Sequence, residues 1–592
     1  MSSVPSDWSM GRRLFLTLFV ALLFAAPAAA QPRELWPGVT FDTAVQFTSN
    51  GPVALNVLIG PRPGGTTTLA PALSNETLTG TETLTAIQRR VAGSATTAGV
   101  NGDFFNFNTG APSGVLMREG QVASPPFGER SSAGITTDGT LDVRRISFFG
   151  TWQGSGAKRT LNTFNEAPPA NGTALYTQAW GPTTPTLPGA TAMILFPLPA
   201  PVPNADLVAP VVEVRTGGGP VPIPLGGAVL VGVGSAAAVL ATEGPVGQQI
   251  TSRLIFKPEW PGVVSAVGGG PQIVRNGAAI FRAGETFTPL QLGARAPRTG
   301  LGQLADGRII LVAVDGRQPG YSIGLTNFEL AQTMVRLGAV TAMAFDGGGS
   351  TTMAFNGTLL NRPSGPERSI STALLFEYTG VFVQPTVAVV SPDGDGIADR
   401  QSLRYKLVRP AATTVTLIAP DGAVAFTETR ERQSGSFAVL FPPVAAPPVA
   451  LGVAETPPAN GRWKLQVAAV DDLGQPSEMT QSFTVNTTVG FLATAPRKLF
   501  LPPGGRDLGI TWKQSRPARV VVTVETPAGE VVRTLAQRAY AVGAPALVWN
   551  GLDRTKQAVK GGTYVIRVVA KNALGTIELS KQIRVQRIVG PR

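Results

Sequence analysis

The sequence predicts an α+β, mixed but strongly β-rich N-terminal domain of catalytic type, followed by two all-β sandwiches. Three observations predict it. Sixty-nine glycines and 51 prolines in 592 residues imply many turns and few long helices. From Gln31 to about residue 380, short apolar runs end in turn clusters and one amphipathic helix stands out. From Val381 onward the texture becomes short alternating strands separated by turns.

The first thirty residues carry Arg12-Arg13, an apolar run from Leu14 to Ala26, and Ala28-Ala29-Ala30 before Gln31. This is the pattern of an export signal. The apolar run is shorter than the ~20 residues a membrane span needs, so cleavage is expected, with the product periplasmic, at the cell surface or secreted. The arginine pair suits the twin-arginine route and the apolar core the general secretory route equally. No later segment is long and apolar enough to span a bilayer.

Within 31–380, Thr97–Val100, Val263–Val267, Gly307–Gly316 and Val340–Phe345 read as buried strands. The proline- and threonine-rich stretch Glu166 to Pro222 reads as loops and edge strands, and Gly226 to Thr242 as adjoining core strands. Thr326 through Leu337 reads as a helix, with Thr326 and Glu329 at capping-box spacing and Gly338 as the residue that ends it. Residues 381–486 form the first β module, with strands such as Arg404–Val408 and Trp463–Val470. Residues 487–592 form the second, with Ala518–Val524, Leu547–Trp549 and Thr563–Ala570.

Composition excludes much chemistry. Without cysteine or histidine there are no disulfides, thiolate nucleophiles, Ser-His-Asp triads or histidine-bound zinc. The formal net charge is +12. Residues 487–592 hold seventeen Lys/Arg and five Asp/Glu, so 17 − 5 = +12, and the basic character belongs to this last module. In an exported protein that favours anionic envelope polymers over nucleic acid, against the alternative of a merely solubilising surface.

The run Phe345-Asp346-Gly347-Gly348-Gly349-Ser350-Thr351-Thr352-Met353 follows a buried strand, so Asp346 falls at the strand's C-terminal end. Glycines there admit close backbone approach, and the amides of Gly347 to Ser350 can face an anion. A strand-end turn capping its own glycines is the competing reading. Asp315 ends the strand before it. Further patches are Asn101-Gly102-Asp103-Phe104-Phe105, Gly268-Gly269-Gly270-Pro271, Arg298-Thr299-Gly300, Asp315-Gly316-Arg317 and Asn361-Arg362-Pro363-Ser364. Each alone is an ordinary turn.

Their order in one chain, together with Leu175–Gly181 and Pro224–Leu230, resembles the phosphodiester glycosidase family, relatives of the lysosomal enzyme that removes N-acetylglucosamine from a sugar phosphodiester. The resemblance covers most of 31–380 and implies an exported hydrolase that cleaves the glycosyl-phosphate bond of sugar phosphodiesters in envelope or extracellular glycopolymers. The alternative is a non-catalytic, polysaccharide-binding adhesion protein using the same pocket. Glycoside cleavage calls for carboxylates near an oxocarbenium-like centre. The candidates are Asp346 first, Asp315 second, then Glu329, which also suits a helix cap, and Asp103, which stands where many members carry a small residue. Arg298 is the expected phosphate clamp, with Thr299, Gly347, Gly348, Gly349, Ser350 and Thr351 around the same charge. Asn101, Asn361 and Arg362 are expected to contact sugar or phosphate, and Phe104 and Phe105 to be core.

No cofactor is required by these residues, although oxygen ligands beside phosphate would suit Ca²⁺ or Mg²⁺. Asp393, Asp395 and Asp399 alternate like a calcium loop without its closing glutamate; a turn opening the first module is the other reading. Ser391–Gly396, and more fully Val548–Asp553 with Gly561–Val568, resemble immunoglobulin-like modules akin to those of the flagellar hook-capping protein, which implies attachment and not catalysis.

Overall fold

The computed structural model describes residues 32–280, 284–387, 389–443, 457–501 and 507–587; the expected export signal lies outside them. Among the described residues are forty-four strands and only four α-helices, none long and apolar enough to cross a membrane.

The site is positioned by an eight-stranded sheet whose central members are antiparallel. Arg298–Leu304 lies between Ile309–Val314 and Ala339–Ala344, with Arg298 opposite Val314 and Gly300 opposite Ala344. The two flanking strands therefore run the same way, and both end on the edge where Arg298 begins. Asp315 and Asp346 leave the sheet beside Arg298, as the sequence pattern predicts, although by antiparallel pairing and not by the crossovers of an open α/β sheet. Helix Asn327–Arg336 covers this sheet with Leu330, Ala331 and Met334 buried. Its capping box is formed in both directions, and Gly338 follows the C-cap residue Leu337 at φ +93°. A second sheet contributes Thr96–Asn101 between Met353–Phe355 and Thr372–Tyr378.

Two expectations fail in the middle of the chain. Between Glu166 and Pro222, Thr173–Thr177 and Thr191–Leu195 are fully buried strands inside another eight-stranded sheet. Proline and glycine mark the connections there, while the five-residue strands are apolar enough to be central. Residues 226–242 contain the strand Ala228–Gly232 and then the helix Ser235–Glu243. Its alanine-rich Ser235–Glu243 has high helix propensity, and Gly234 at φ +57° breaks the strand to start it.

Beyond residue 381 the chain forms a three- and a five-stranded sheet twice. In the first, Gln401–Leu407 is central to the small sheet, and the large sheet runs Val389–Val390, Pro476–Val485, Gly461–Asp471, Ala411–Ile418, Val424–Arg432. The second repeats this order as Lys498–Leu501, Gly575–Arg587, Gly562–Asn572, Ala518–Glu525, Val531–Tyr540. In both, the first strand of this order pairs parallel with the second, Val389–Val390 with Pro476–Val485 and Lys498–Leu501 with Gly575–Arg587. The core of 381–485 is continuous with that of the N-terminal block: Phe355 meets Phe382 at 5.9 Å and the Val381 amide donates to Ser477 Oγ at 3.0 Å. The last block has its own core.

Thr326→Ala is expected to lower stability by about 1 kcal/mol, read as a lower thermal midpoint of the N-terminal region.

Candidate functional site

Asn101 closes the site from behind. Its Oδ1 accepts from Thr299 Oγ1 at 2.7 Å and from the Thr352 amide at 3.1 Å, and its Nδ2 donates to the Asp346 carbonyl at 2.7 Å. One buried amide thus ties the second sheet, the central strand and the glycine turn together. Asn101 and Thr299, at 1% and 0% exposure, hold the site's frame and do not face a ligand.

Asp346 projects from that frame with its carboxyl raised to about 6 by burial, against the opposing pull of the Ser350 hydroxyl, Arg368, the Gly347 amide and Arg130. Asp103 lies nearby. Its two oxygens accept from the Phe104 and Gly114 amides, each at 2.7 Å. Burial raises it to about 7 despite those bonds and Arg130, and the charge of Asp346 adds to the rise. Gly268 makes room for it, since a Cβ there would lie 2.3 Å from Asp103 Oδ2. The site therefore contains two carboxyls displaced into the neutral range, and Asp103 belongs to it.

The expected nest of amides is not formed. The Gly348 amide donates to the Pro297 carbonyl at 2.8 Å, and those of Ser350 and Thr351 to the Gly347 and Gly348 carbonyls at 3.3 Å. Positive charge comes instead from guanidinium groups lying against the glycines. A Cβ on Gly348 would stand 3.1 Å from Arg317 Nη2, one on Gly349 2.4 Å from Arg368 Nη2, and one on Gly347 3.8 Å from Arg298 Nη1. The glycines are needed for what packs over them.

Arg298 is anchored by Nε to the Leu325 carbonyl at 2.9 Å and by Nη2 to the Ala294 carbonyl at 2.6 Å, leaving Nη1 beside Gly347. Burial and then Arg317 lower it to about 10, against Asp346 and Glu329. Arg317 has a left-handed backbone at φ +58°, uncommon for a residue with a Cβ. Among the described residues none of Arg298, Arg317 and Arg368 forms an ion pair, and Arg368 makes a 3.4 Å hydrogen bond to Ser350 Oγ and lies 5.9 Å from the Phe107 ring centroid. Like charges thus gather on one turn, with the field of Asp346 acting on Arg298 and Arg368. Arg130 completes the surroundings of the acid pair, its guanidinium 4.6 Å from the Phe287 ring and 5.0 Å from the Phe104 ring. Phe104 is thus a half-buried clamp for this arginine. Phe105 packs on Phe107, itself 77% exposed.

Three further candidates serve the scaffold. Asp315, 1% exposed, accepts from Asn361 Nδ2 at 2.9 Å, Tyr321 Oη at 3.0 Å, the Arg362 amide at 3.2 Å and Asn56 Nδ2 at 3.3 Å. These bonds pin the loop after residue 360, while burial still raises the carboxyl above its ordinary value. Asn361 Oδ1 accepts the Met353 amide at 2.8 Å. Glu329 accepts the Thr326 amide at 2.8 Å and pairs with Arg295; the cap reading is the one realised. Arg362 is exposed, with its guanidinium 4.9 Å from the Tyr321 ring. Thr351 is buried with an unpartnered hydroxyl.

Arg130, Arg317 and Arg368 were not expected to take part. Arg317 lies in the Asp-Gly-Arg patch, but Arg130 and Arg368 sit in unremarkable loops, and only the tertiary packing brings them in.

Comparisons with known proteins match part of this region. Residues 209–377 match the phosphodiester glycosidase family. That match includes Arg298, Arg317, Asp346 and Arg368, while Asp103 and Arg130 lie ahead of it. Residues 504–573 match the FlgD Ig-like domain. The chain is 39% identical over 67 residues to the N-acetylglucosamine-1-phosphodiester alpha-N-acetylglucosaminidase of Bos taurus, 11% of this chain and 12% of that protein. It is 29% identical over 147 residues to the SPbeta prophage-derived uncharacterized protein YomE of Bacillus subtilis (strain 168), 24% of this chain and 22% of that protein. The alignments thus span under a quarter of either relative. A hypothetical protein from Synechocystis has a solved structure with TM-score 0.48 and 27% identity, covering 57% of this chain and 62% of that one.

Away from the phosphodiester glycosidase match, Asp393, Asp395 and Asp399 bring carboxylate oxygens within 4.8 Å of one another. Burial, then Asp395 and Asp399, raise Asp393 to about 6, in opposition to hydrogen bonding from the Asp395 amide. Asp395 also accepts the Phe491 amide at 2.7 Å, so this loop joins the two C-terminal blocks.

A carboxyl whose folded value is raised contributes stability below its ordinary value and loses it as pH rises through the folded value. For Asp103 and Asp346 that window runs from about pH 4 to 7. Asp103→Asn is expected to flatten the fall in stability between pH 4.5 and 8 by on the order of 2 kcal/mol, measured by urea unfolding.

Proposed function

We propose that the protein is an exported hydrolase of glycosyl phosphodiesters acting at Asp346. The observation that carries this reading is the packing of Arg298, Arg317 and Arg368 against the three glycines after Asp346. A carboxylate with three unpaired guanidinium groups suits a bond whose cleavage creates negative charge on phosphate. In the reaction, water adds to the anomeric carbon, the bond from that carbon to the phosphate oxygen breaks, and the phosphate monoester leaves with the electron pair. Asp346 takes the proton from water, which its value of about 6 favours near neutral pH. The departing phosphate gains a negative charge, which the arginines stabilise. Asp103, held by two backbone amides, is the second titrating carboxyl, and the pair loses its protons in coupled steps. The phosphodiester glycosidase match and the bovine relative's name support the same reaction class.

The last module is proposed to hold the enzyme on an anionic glycopolymer. Cross-strand register places Lys498 beside Arg584 and Arg519 beside Lys571. All four are exposed and none forms an ion pair among the described residues. Like charges opposite one another destabilise a sheet, and a polyanion relieves that repulsion.

The deciding assay is release of sugar from a panel of glycosyl-1-phosphodiesters. Asp346→Asn is expected to lower kcat/KM by about 10²-fold or more, and Arg298→Ala or Arg368→Ala by about 10-fold or more, with folding intact. Full activity in Asp346→Asn would remove the assignment. Saturable glycan binding with no turnover of any panel member would favour a binding protein. For the basic face, Lys498→Glu with Arg584→Glu should abolish the low-salt retention on an anionic polymer column shown by the unsubstituted protein; unchanged elution sinks the attachment idea.

A further inference from the structure

Next to Arg130 lies a cleft of about 560 Å³ that the reaction above does not use. Its walls come from the loop carrying Asn106 and Ser113, the turn ending at Phe127, and Glu166 with Trp180. Ser113, Phe127 and Arg130 also line the tight space around Asp103 and Gly268, so the cleft and the acid pair share a wall.

The lining has the composition of a saccharide site, with aromatic faces among a few polar groups. Trp180 is half-buried and held by Tyr176, whose ring lies edge-on at 5.3 Å; its indole orientation is fixed before any ligand arrives. Phe127, 43% exposed, adds a second apolar surface. Glu166 has no hydrogen bond or ion pair from its carboxylate among the described residues. An exposed carboxylate on the cleft wall with no protein donor is free to accept from the hydroxyl groups of a ligand. Charge decides which ligand. Arg130 faces Asp103 and Asp346, so the cleft's own uncompensated charge is the negative one of Glu166, which disfavours phosphate and suits a neutral polyol.

We propose that this cleft binds a neutral saccharide unit adjoining the scissile phosphodiester, so that the substrate extends at least one sugar beyond the bond that breaks. The proposal rests on the reaction assigned above for the position of that bond, and its test is separable from it.

Binding is measured by calorimetry in Asp346→Asn protein with two probes: the methyl phosphodiester of N-acetylglucosamine-1-phosphate, and the same phosphodiester carrying maltotriose in place of methyl. The longer probe is expected to bind about tenfold or more tightly. Trp180→Ala and, separately, Glu166→Ala should remove most of that gain while affecting the short probe far less. Glu166→Ala alters an exposed residue and keeps the test valid if the tryptophan variant misfolds. Equal affinity for both probes, no binding of either, or an equal loss on both in the variants overturns the proposal. Turnover of the methyl diester by the unsubstituted protein tests the reaction alone. A chain-length gain in binding without turnover supports the cleft and overturns the reaction.

Discussion

The site depends on the buried amide of Asn101. A single side chain accepts from Thr299 on the central strand and from Thr352 beyond the glycine turn, and donates to the carbonyl of Asp346. Leaving any of these groups unpaired in the interior would cost about 1–3 kcal/mol, so the turn has one position relative to both sheets. Everything that approaches the turn, from the Arg298 guanidinium to the Asp103 carboxyl, is referred to that position. Asn101 is consequently a frame residue, although a ligand contact is what its place in an Asn-Gly-Asp patch suggests.

A division of labour among acids follows from how many donors each meets. Asp315 and Glu329 are surrounded by donors and act as fixed acceptors, one pinning the loop after residue 360 and the other closing a helix. Burial raises the proton affinity of Asp315 despite its donors, and raises that of Asp346 and Asp103, which meet fewer, to about 6 and about 7. The same economy governs the arginines. Arg295 pairs with Glu329 and is structural, whereas Arg298, Arg317 and Arg368 converge on glycines and, among the described residues, form no close ion pair, the charge of Asp346 reaching Arg298 and Arg368 from further off. Burial of charge is costly unless it is compensated, and the proposed phosphate leaving group would supply that compensation.

Much of the scaffold was legible from local pattern. The capping box at Thr326 and Glu329, the buried strands before Asp315 and Asp346, and the strands of both C-terminal modules each show in a pattern of apolar, polar and turn residues within about ten positions, which a sequence displays, although the strands pair with distant segments. The buried strands between Glu166 and Pro222 were hidden because proline and glycine in the connections dominate composition. The helix at Ser235–Glu243 was hidden because alanine and valine runs suit either state until Gly234 turns the chain. Arg130 and Arg368 had no local signal at all: one is gripped by Phe104 and Phe287 from distant segments, and the other reaches Ser350 across a loop.

By itself the sequence determined the chemistry available, since a chain without histidine or cysteine must work with carboxylates, guanidinium groups and hydroxyls, and it determined that Asp346 opens a glycine turn at the end of a strand. Tertiary structure decided which carboxyls titrate near neutrality and which cations face them. The physical reason is that proton affinity and charge compensation depend on burial and on neighbours within a few ångströms. Those neighbours come from Asn101, Arg130, Arg298, Arg317 and Arg368, residues spread over more than 260 positions of the chain and assembled only when the sheets pack.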